Sequence, residues 1–350
     1  MPSMVQARAA RPTIRDVARQ AGVSVATVSR VLNGTDSARP ETARRVLAAV
    51  EDLDYVANAS ARALTTTRTR TLGVVVPSLT SPFFMGVAAG IEEQASQDGY
   101  LCSVVSTRDD PGRELAAIDI LRHRGVDAIL LAGGGTRATT EHDARLRTLA
   151  TTLGAANTEV VLCARPAIPG WPSHCVTFDN KAGARAATSH LLSAGHTRIL
   201  YLGGREQYTF SPDRVAGYRA ALESHGIAFD PDLVSTGAMT HTAVRQRMEA
   251  IIDAGLGFTA IFAATDDIAA AALATLAGAG RRVPGDISVI GYNDEPVAST
   301  LTPQLTTVHV PKAELGRLAA RTALHGSGTD EPTTTVLGVH VVVRDSVGPA

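Results

Sequence analysis

From Thr71 onward, short apolar runs alternate with amphipathic stretches, and this alternation constrains the fold of the 350-residue chain more than any other feature. LGVVVP (72–77), YLCSVVS (100–106), VDAILLA (126–132) and EVVLCA (159–164) have the length and β-branched content of buried strands. Helical segments fall between them, at about 82–97, 110–123 and 140–152, with Ser81-Pro82 as cap and first turn of the first. The pattern repeats with strands near 175–179, 198–203, 259–263 and 286–291, and helices near 180–194, 211–225, 241–253 and 265–279. Strands separated by helices pair in parallel, so the sequence predicts parallel sheets covered by helices on both faces. About 270 residues of this pattern exceed what one hydrophobic core usually organises, and two lobes are expected.

The 70 residues that precede this pattern differ in charge. They hold eleven arginines and no lysine against six acids (Asp16, Asp36, Glu41, Glu51, Asp52, Asp54), a formal charge of +5, whereas the rest of the chain carries −6. The overall value of −1 therefore hides a basic head on an acidic body, the distribution of a small polyanion-binding module joined to a second domain. No apolar run reaches the roughly 18 residues of a bilayer span, and Met1 to Ala10 lack the apolar middle of a signal peptide. A cytoplasmic protein without a membrane partner is expected. Cys102, Cys163 and Cys175 are too few and too scattered for a disulfide framework or a zinc site.

Within the head, TIRDVARQAGVSVATVSRVLNG (13–34) reads as two short helices around a glycine-containing turn. Thr13 is placed to cap the first, with Asp16 three residues on, and Ile14, Val17 and Ala18 form one apolar stripe. Gly22 ends that helix and Ser24 caps the second, which runs to about Leu32 before Asn33-Gly34. Thr27, Val28 and Val31 are expected to pack inward, leaving Val25, Ala26, Ser29 and Arg30 on the face where a recognition helix meets base edges. Arg30 suits a guanine, Val25 and Ala26 suit thymine methyls, and Ser24, Thr27 and Ser29 suit phosphates. A third helix from about Pro40 to Leu53 would close the core with Val46, Leu47, Val50 and Leu53.

These residues resemble the lac repressor–galactose repressor family of bacterial transcription regulators. The resemblance is carried most specifically by AGVSVATVSRVLNG, then by Tyr55, NASARAL (58–64) and the Arg/Thr-rich TTTRTRT, and it extends to about Ser346. It implies a helix-turn-helix head over 13–57 behind a flexible 1–12, and a hinge helix and linker over 58–71. Leu64 would wedge into the minor groove, one turn after Ala61. Thr13, Asn33, Tyr55 and Asn58 join the expected DNA contacts, although Tyr55 also suits the head's small core. The body, 72–346, would be two periplasmic-binding-protein-like doubly wound lobes, about 72–165 plus 293–325 and 166–292 plus 326–346. Crossovers are expected near 165–167, 292–294 and 324–327. Further matching stretches are FDNKAG (178–183), RVAGYRAAL (214–222), FAATDDIAAAAL (262–273) and VPGDISVIGYND (283–294).

Ligands of open α/β sheets sit beyond the carboxyl ends of the strands. Phe83 follows the first strand, where an aromatic stacks on a ring; Phe84 is equally placed but reads more plainly as core. By resemblance Phe178, Tyr208, Arg214 and Asp266 join Phe83 around an effector, with Arg214 and Asp266 suited to paired hydroxyls. Many sugar-binding relatives carry an Asp-Arg pair at Ala164-Arg165 and Asn at Thr265. These departures leave a nucleoside or a sugar phosphate open beside a sugar.

Enzyme chemistry finds no support in the residues. The loop after the first strand, SLTSPFF, is no glycine-rich phosphate cradle, and no Walker motif, nucleophile elbow or HExxH is present. Gly133-Gly134-Gly135 reads as a loop, and His190 and His196 are spaced wrongly for a helical metal pair. The rival is a solute-binding protein with the same body, disfavoured by the basic head. The sequence therefore predicts a non-enzymatic repressor without metal or cofactor, binding palindromic operator DNA as a homodimer under a small effector. The chain stops soon after VVVRDS, so no tetramer-forming helix is expected.

Overall fold

In the computed structural model, described over residues 12–32, 39–55, 69–133, 140–156, 158–206, 208–328 and 331–350, the body is built on two six-stranded sheets. The chain divides into two units, Met1–Thr69 and Arg70–Ala350.

The first unit contains α1 (Ile14–Ala21), α2 (Val25–Leu32) and α3 (Pro40–Asp52). Asp16 accepts from both the backbone N–H (2.9 Å) and the hydroxyl (2.7 Å) of Thr13, which fixes the first turn of α1. Those bonds hold its carboxyl below the usual range. Gly22, at φ +64°, makes the left-handed turn that ends α1, and Ser24 Oγ accepts from Thr27 N–H at 3.1 Å to open α2. Val17, Ala18, Ala21, Val28, Val46, Ala49 and Tyr55 form the buried core. Leu47 corrects the expectation for α3: it is 54% exposed, and Ala49 is buried in its stead. The stripe runs Val46, Ala49, Val50, Leu53, the i, i+3, i+4, i+7 set, and Leu47 lies one residue, or 100°, off it.

In the second unit the first sheet combines β1 (Thr71–Val76), β2 (Leu101–Ser106), β3 (Ala128–Ala132), β4 (Glu159–Cys163), β5 (His174–Phe178) and a late strand at Thr334–Leu337, in the order 2-1-3-4-5 with the late strand outermost beside β5. Every pair in it is parallel. The second sheet repeats this order with β6 (Ile199–Gly204), β7 (Val234–Gly237), β8 (Ala260–Ala263), β9 (Ser288–Asn293) and β10 (Thr306–His309), reading 7-6-8-9-10. A last strand, His340–Val342, runs antiparallel against β10. Two copies of the 2-1-3-4-5 order are two doubly wound lobes. Among the described residues no helix is long and apolar enough to cross a membrane.

The lobe boundaries differ from expectation. His174–Phe178 pairs with β4, so the chain first leaves the first lobe at Asp179 rather than at 165–167. The helix Asn180–Ser193 packs on the second sheet, and Lys312–His325 packs on the first, so the return lies at 310–311 rather than 292–294. The third crossover joins the two late strands at 338–339 rather than 324–327. The reading failed because β4 and β5 are joined without a helix. Their connection is held by buried Ile168 and Trp171, so alternation mistook β5 for the start of the next lobe.

Lys312–His325 lies against Pro82–Gln97 with their backbones nearly touching. A Cβ at Gly90 would collide with the Ala313 carbonyl, and one at Gly316 with that of Val87. This contact ties the late helix to the first lobe. Gly90→Val is expected to destabilise the second unit by about 3 kcal/mol or more, because backbone atoms cannot yield to a side chain. A thermal melt equal to that of the unchanged protein would contradict the packing described.

Candidate functional site

Parallel strands leave their carboxyl ends on one side of each sheet, and the loops that follow enclose a cavity of about 700 Å³. The first lobe contributes Ser78, Ser81, Phe83 and Phe84 after β1, Gly133 after β3, Ala164 and Arg165 after β4, and Thr177 to Asn180 at the end of β5. The second contributes Arg205, Tyr208, Phe210 and Arg214 after β6, Ala238 to Thr240 after β7, Thr265 and Asp267 after β8, and Asn293 and Glu295 after β9. Of the five expected effector residues, Phe83, Phe178, Tyr208 and Arg214 lie on this wall and Asp266 does not.

The walls are aromatic on both sides. Phe83 meets Phe84 edge-on at 5.2 Å and Phe178 at 5.8 Å, while Tyr208 stacks on Phe210 at 5.7 Å with planes 10° apart. Rings of this kind cover the apolar faces of a cyclic ligand. Phe84, read as core, lines the cavity too.

Arg214 anchors the floor. Its guanidinium lies 3.6 Å from the ring centroid of Tyr292 and 4.6 Å from that of Phe210. It donates to the Ala264 carbonyl, to Asn180 Oδ1 at 2.9 Å and to Asn293 Oδ1 at 3.3 Å. Burial draws its affinity for the proton below the usual arginine value, and the nearby Tyr292, Tyr201, Asp266 and Asp213 oppose that.

Asp266 requires a correction. It is fully buried behind the wall, where Oδ2 accepts from Glu295 N–H at 2.6 Å and Oδ1 from the Thr307 hydroxyl at 2.5 Å. Burial raises its pKa to about 6 against the pull of those two donors. Its neighbour Asp267, exposed and one helical step round, faces the cavity. Thr265 caps this helix by accepting from Ile268 N–H at 3.2 Å.

Glu295 and Asn293 were missed as site residues. Asp294, between them, turns away to Arg344 (2.6 Å) and His309 (2.9 Å). Glu295 stays against the cavity at 4% exposure, and burial pushes its pKa up to about 7. Both residues follow a strand's carboxyl end, the one pattern that would have found them. Arg165 bonds Glu114 at 2.5 Å, and Glu114 also lies 3.4 Å from His142.

In the head, Val25, Ala26 and Arg30 are exposed on one face of α2, with Ser29 and Thr27 half-buried and Ser24 exposed at its start. Thr13 is exposed at the start of α1, and Tyr55 is buried in the core. Asn33, Asn58, Ala61 and Leu64, with the whole hinge segment NASARAL, lie outside the described residues.

Two family models match the chain: bacterial regulatory proteins of the lacI family over residues 13–58, and a periplasmic binding protein-like domain over 188–347. The HTH-type transcriptional regulator CelR of Thermobifida fusca is 35% identical, the match covering 97% of this chain and 99% of that one. Among solved structures, a CelR–cellobiose complex is 33% identical, with a TM-score of 0.70 over 96% of this chain and 100% of that one. The Lac repressor bound to ONPG in its repressed state is 26% identical, with a TM-score of 0.84 over 96% and 100%. These relatives are regulators rather than enzymes, and they share both the head and the two-lobed body. The chain belongs to the lacI family of bacterial regulatory proteins.

Proposed function

We propose that this regulator is a cytoplasmic repressor that binds a two-fold operator as a homodimer and responds to a sugar-like effector in the interlobe cavity. The observation that carries the reading is the cavity itself, lined by aromatic and hydrogen-bonding groups from both lobes. A ligand touching both lobes binds one lobe arrangement better than another, and that difference in affinity is the only free energy available for a switch. The cellobiose in the CelR complex supports a sugar as the class of ligand. The three crossovers are the segments about which the lobes would rotate.

Operator recognition rests on the exposed face of α2. Arg30 is assigned to a guanine and Val25 and Ala26 to thymine methyls, with Thr13, Ser24, Thr27, Ser29, Asn33, Tyr55 and Asn58 on the backbone and Ala61 and Leu64 in the minor groove. Self-association is supported by β2, the outer strand of the first sheet, which exposes Leu101 (76%) and Val104 (41%). Apolar groups on a free edge invite a partner, and a two-fold dimer matches a palindromic site.

Arg30→Ala is expected to weaken operator binding by about 1–3 kcal/mol and to relax preference at one base pair. Equal losses on operator and random DNA would refute base reading. Asp266→Ala should destabilise the body by about 2–3 kcal/mol, since it strands the Glu295 N–H and the Thr307 hydroxyl. Asp267→Ala should melt within about 0.5 kcal/mol of the parent yet blunt sugar-induced operator release in a gel-shift assay. The reverse pattern would return Asp266 to the effector site. Leu101→Asp should shift the sedimentation of the protein from dimer toward monomer; an unchanged dimer would place the interface elsewhere.

A further inference from the structure

Glu295 is the carboxyl group on the cavity wall that is buried yet left unanswered by its surroundings among the described residues. Both of its carboxyl oxygens are buried and neither has a hydrogen-bond partner among the described residues. Two neighbouring carboxylates are answered, Asp266 by the Glu295 N–H and the Thr307 hydroxyl and Asp294 by Arg344 and His309, while Asp267 is exposed to water. The cation whose charge acts on it, Lys312, turns its ammonium to the carbonyls of Asn293 (2.5 Å) and Asp294 (2.9 Å). A buried carboxyl without donors is unfavourable, and it is retained where something else supplies them.

The charges around it specify what that something is. Five carboxylates line the cavity against three guanidinium groups. Two of the three are engaged, Arg165 with Glu114 and Arg214 with Asn180, Asn293 and the Ala264 carbonyl, and the third, Arg205, is exposed. A phosphate or carboxylate beside Glu295 would add like charge to a wall that already carries more carboxylates than guanidinium groups, with the solvent-screened Arg205 as the remaining counter-charge.

Resting on the reading of this cavity as the effector site, we propose that Glu295 is its specificity-determining contact. It accepts hydrogen bonds from hydroxyl or ammonium donors of an uncharged or cationic ligand and rejects phosphorylated or carboxylated ones. The sugar phosphate left open by the sequence is thereby excluded.

The carboxyl also leaves a mark on the unliganded protein. Burial, reinforced by Asp266, Asp267 and Asp294 and opposed by Lys312, raises its pKa from 4.5 to about 7. The folded state then holds this proton more tightly than the unfolded chain, so the stability it brings is full below pH 4.5 and is lost as pH climbs toward and through 7. Glu295→Gln, nearly isosteric and neutral at every pH, should therefore melt higher than the parent at pH 8, with the gap closing toward pH 5.

The deciding experiment titrates full-length protein and the E295Q variant with neutral mono- and disaccharides, including glucose and cellobiose, by calorimetry. Glucosamine, glucose 6-phosphate and glucuronate complete the panel. The tightest ligand is expected among the neutral or amino sugars, with its phosphorylated and carboxylated counterparts at least tenfold weaker. E295Q should lose tenfold or more for the tightest ligand and discriminate less against the anions; glucose against glucosamine decides whether hydroxyl or ammonium is preferred. Unchanged binding by E295Q, or tightest binding of a phosphate or uronate, overturns the role of Glu295 and leaves the cavity as the effector site. Binding by no member of the panel overturns the sugar-like effector reading and this proposal together.

Discussion

Parallel strand pairing is the constraint on which the rest of the body depends. It obliges each strand to return through a crossover, most of which supply the covering helices, and it sends the carboxyl-end loops of the parallel strands to the same side of their sheet. With two sheets in the same 2-1-3-4-5 order and three crossovers between them, both sets of loops meet around one cavity. The antiparallel strand His340–Val342 sits at an edge, outside this requirement.

The floor of the cavity shows how buried polarity can order a site without closing it. Arg214 is stacked between Tyr292 and Phe210 and bonded to three acceptors, so its fork is held rigidly. Asp266 uses both oxygens to join β8's helix to the loop after β9 and to Thr307 on β10. Ser346 performs a similar task farther out: its hydroxyl donates to the Val289 carbonyl at 2.6 Å and accepts from Thr306 N–H at 2.8 Å, clamping β9, β10 and the segment after the last strand. Groups with satisfied bonds set the frame, and Asp267 and Glu295 are left on the cavity wall.

Much of this was legible in the residues. Apolar periodicity located most of the strands and helices, and the turn signals Gly22 and Ser24 located the helix-turn-helix. The misreadings have two causes. Leu47 was misplaced by a local slip of one residue in the helical stripe, whereas Asp266 and the crossover at 165–167 depend on what lies across from a residue rather than on what lies beside it in the chain. Alternation identifies a strand but not its partner, so β5 was assigned to the wrong sheet. TTVL (334–337) lacks the unbroken apolar run because it lies at a sheet edge and is mostly exposed, whereas TTVH (306–309) is largely buried and its two threonines are answered by hydrogen bonds from Arg344 N–H and to Asp266.

The amino-acid sequence by itself determined the kind of structure: a basic helical head, a parallel α/β body in two lobes, and aromatics and Arg214 following the carboxyl ends of strands. These are local properties, set by side-chain period, caps and charge within a few turns. Only the tertiary structure decided which acid of Asp266-Asp267 faces the cavity, which of Asp294-Glu295 is neutralised by Arg344 and His309, and where the lobes exchange chain. Those outcomes depend on groups tens to more than a hundred residues away, such as Thr307 for Asp266 and β11, Thr334–Leu337, for β5. A charge acquires its role from the partners that folding brings to it, and no spacing in the chain encodes their arrival.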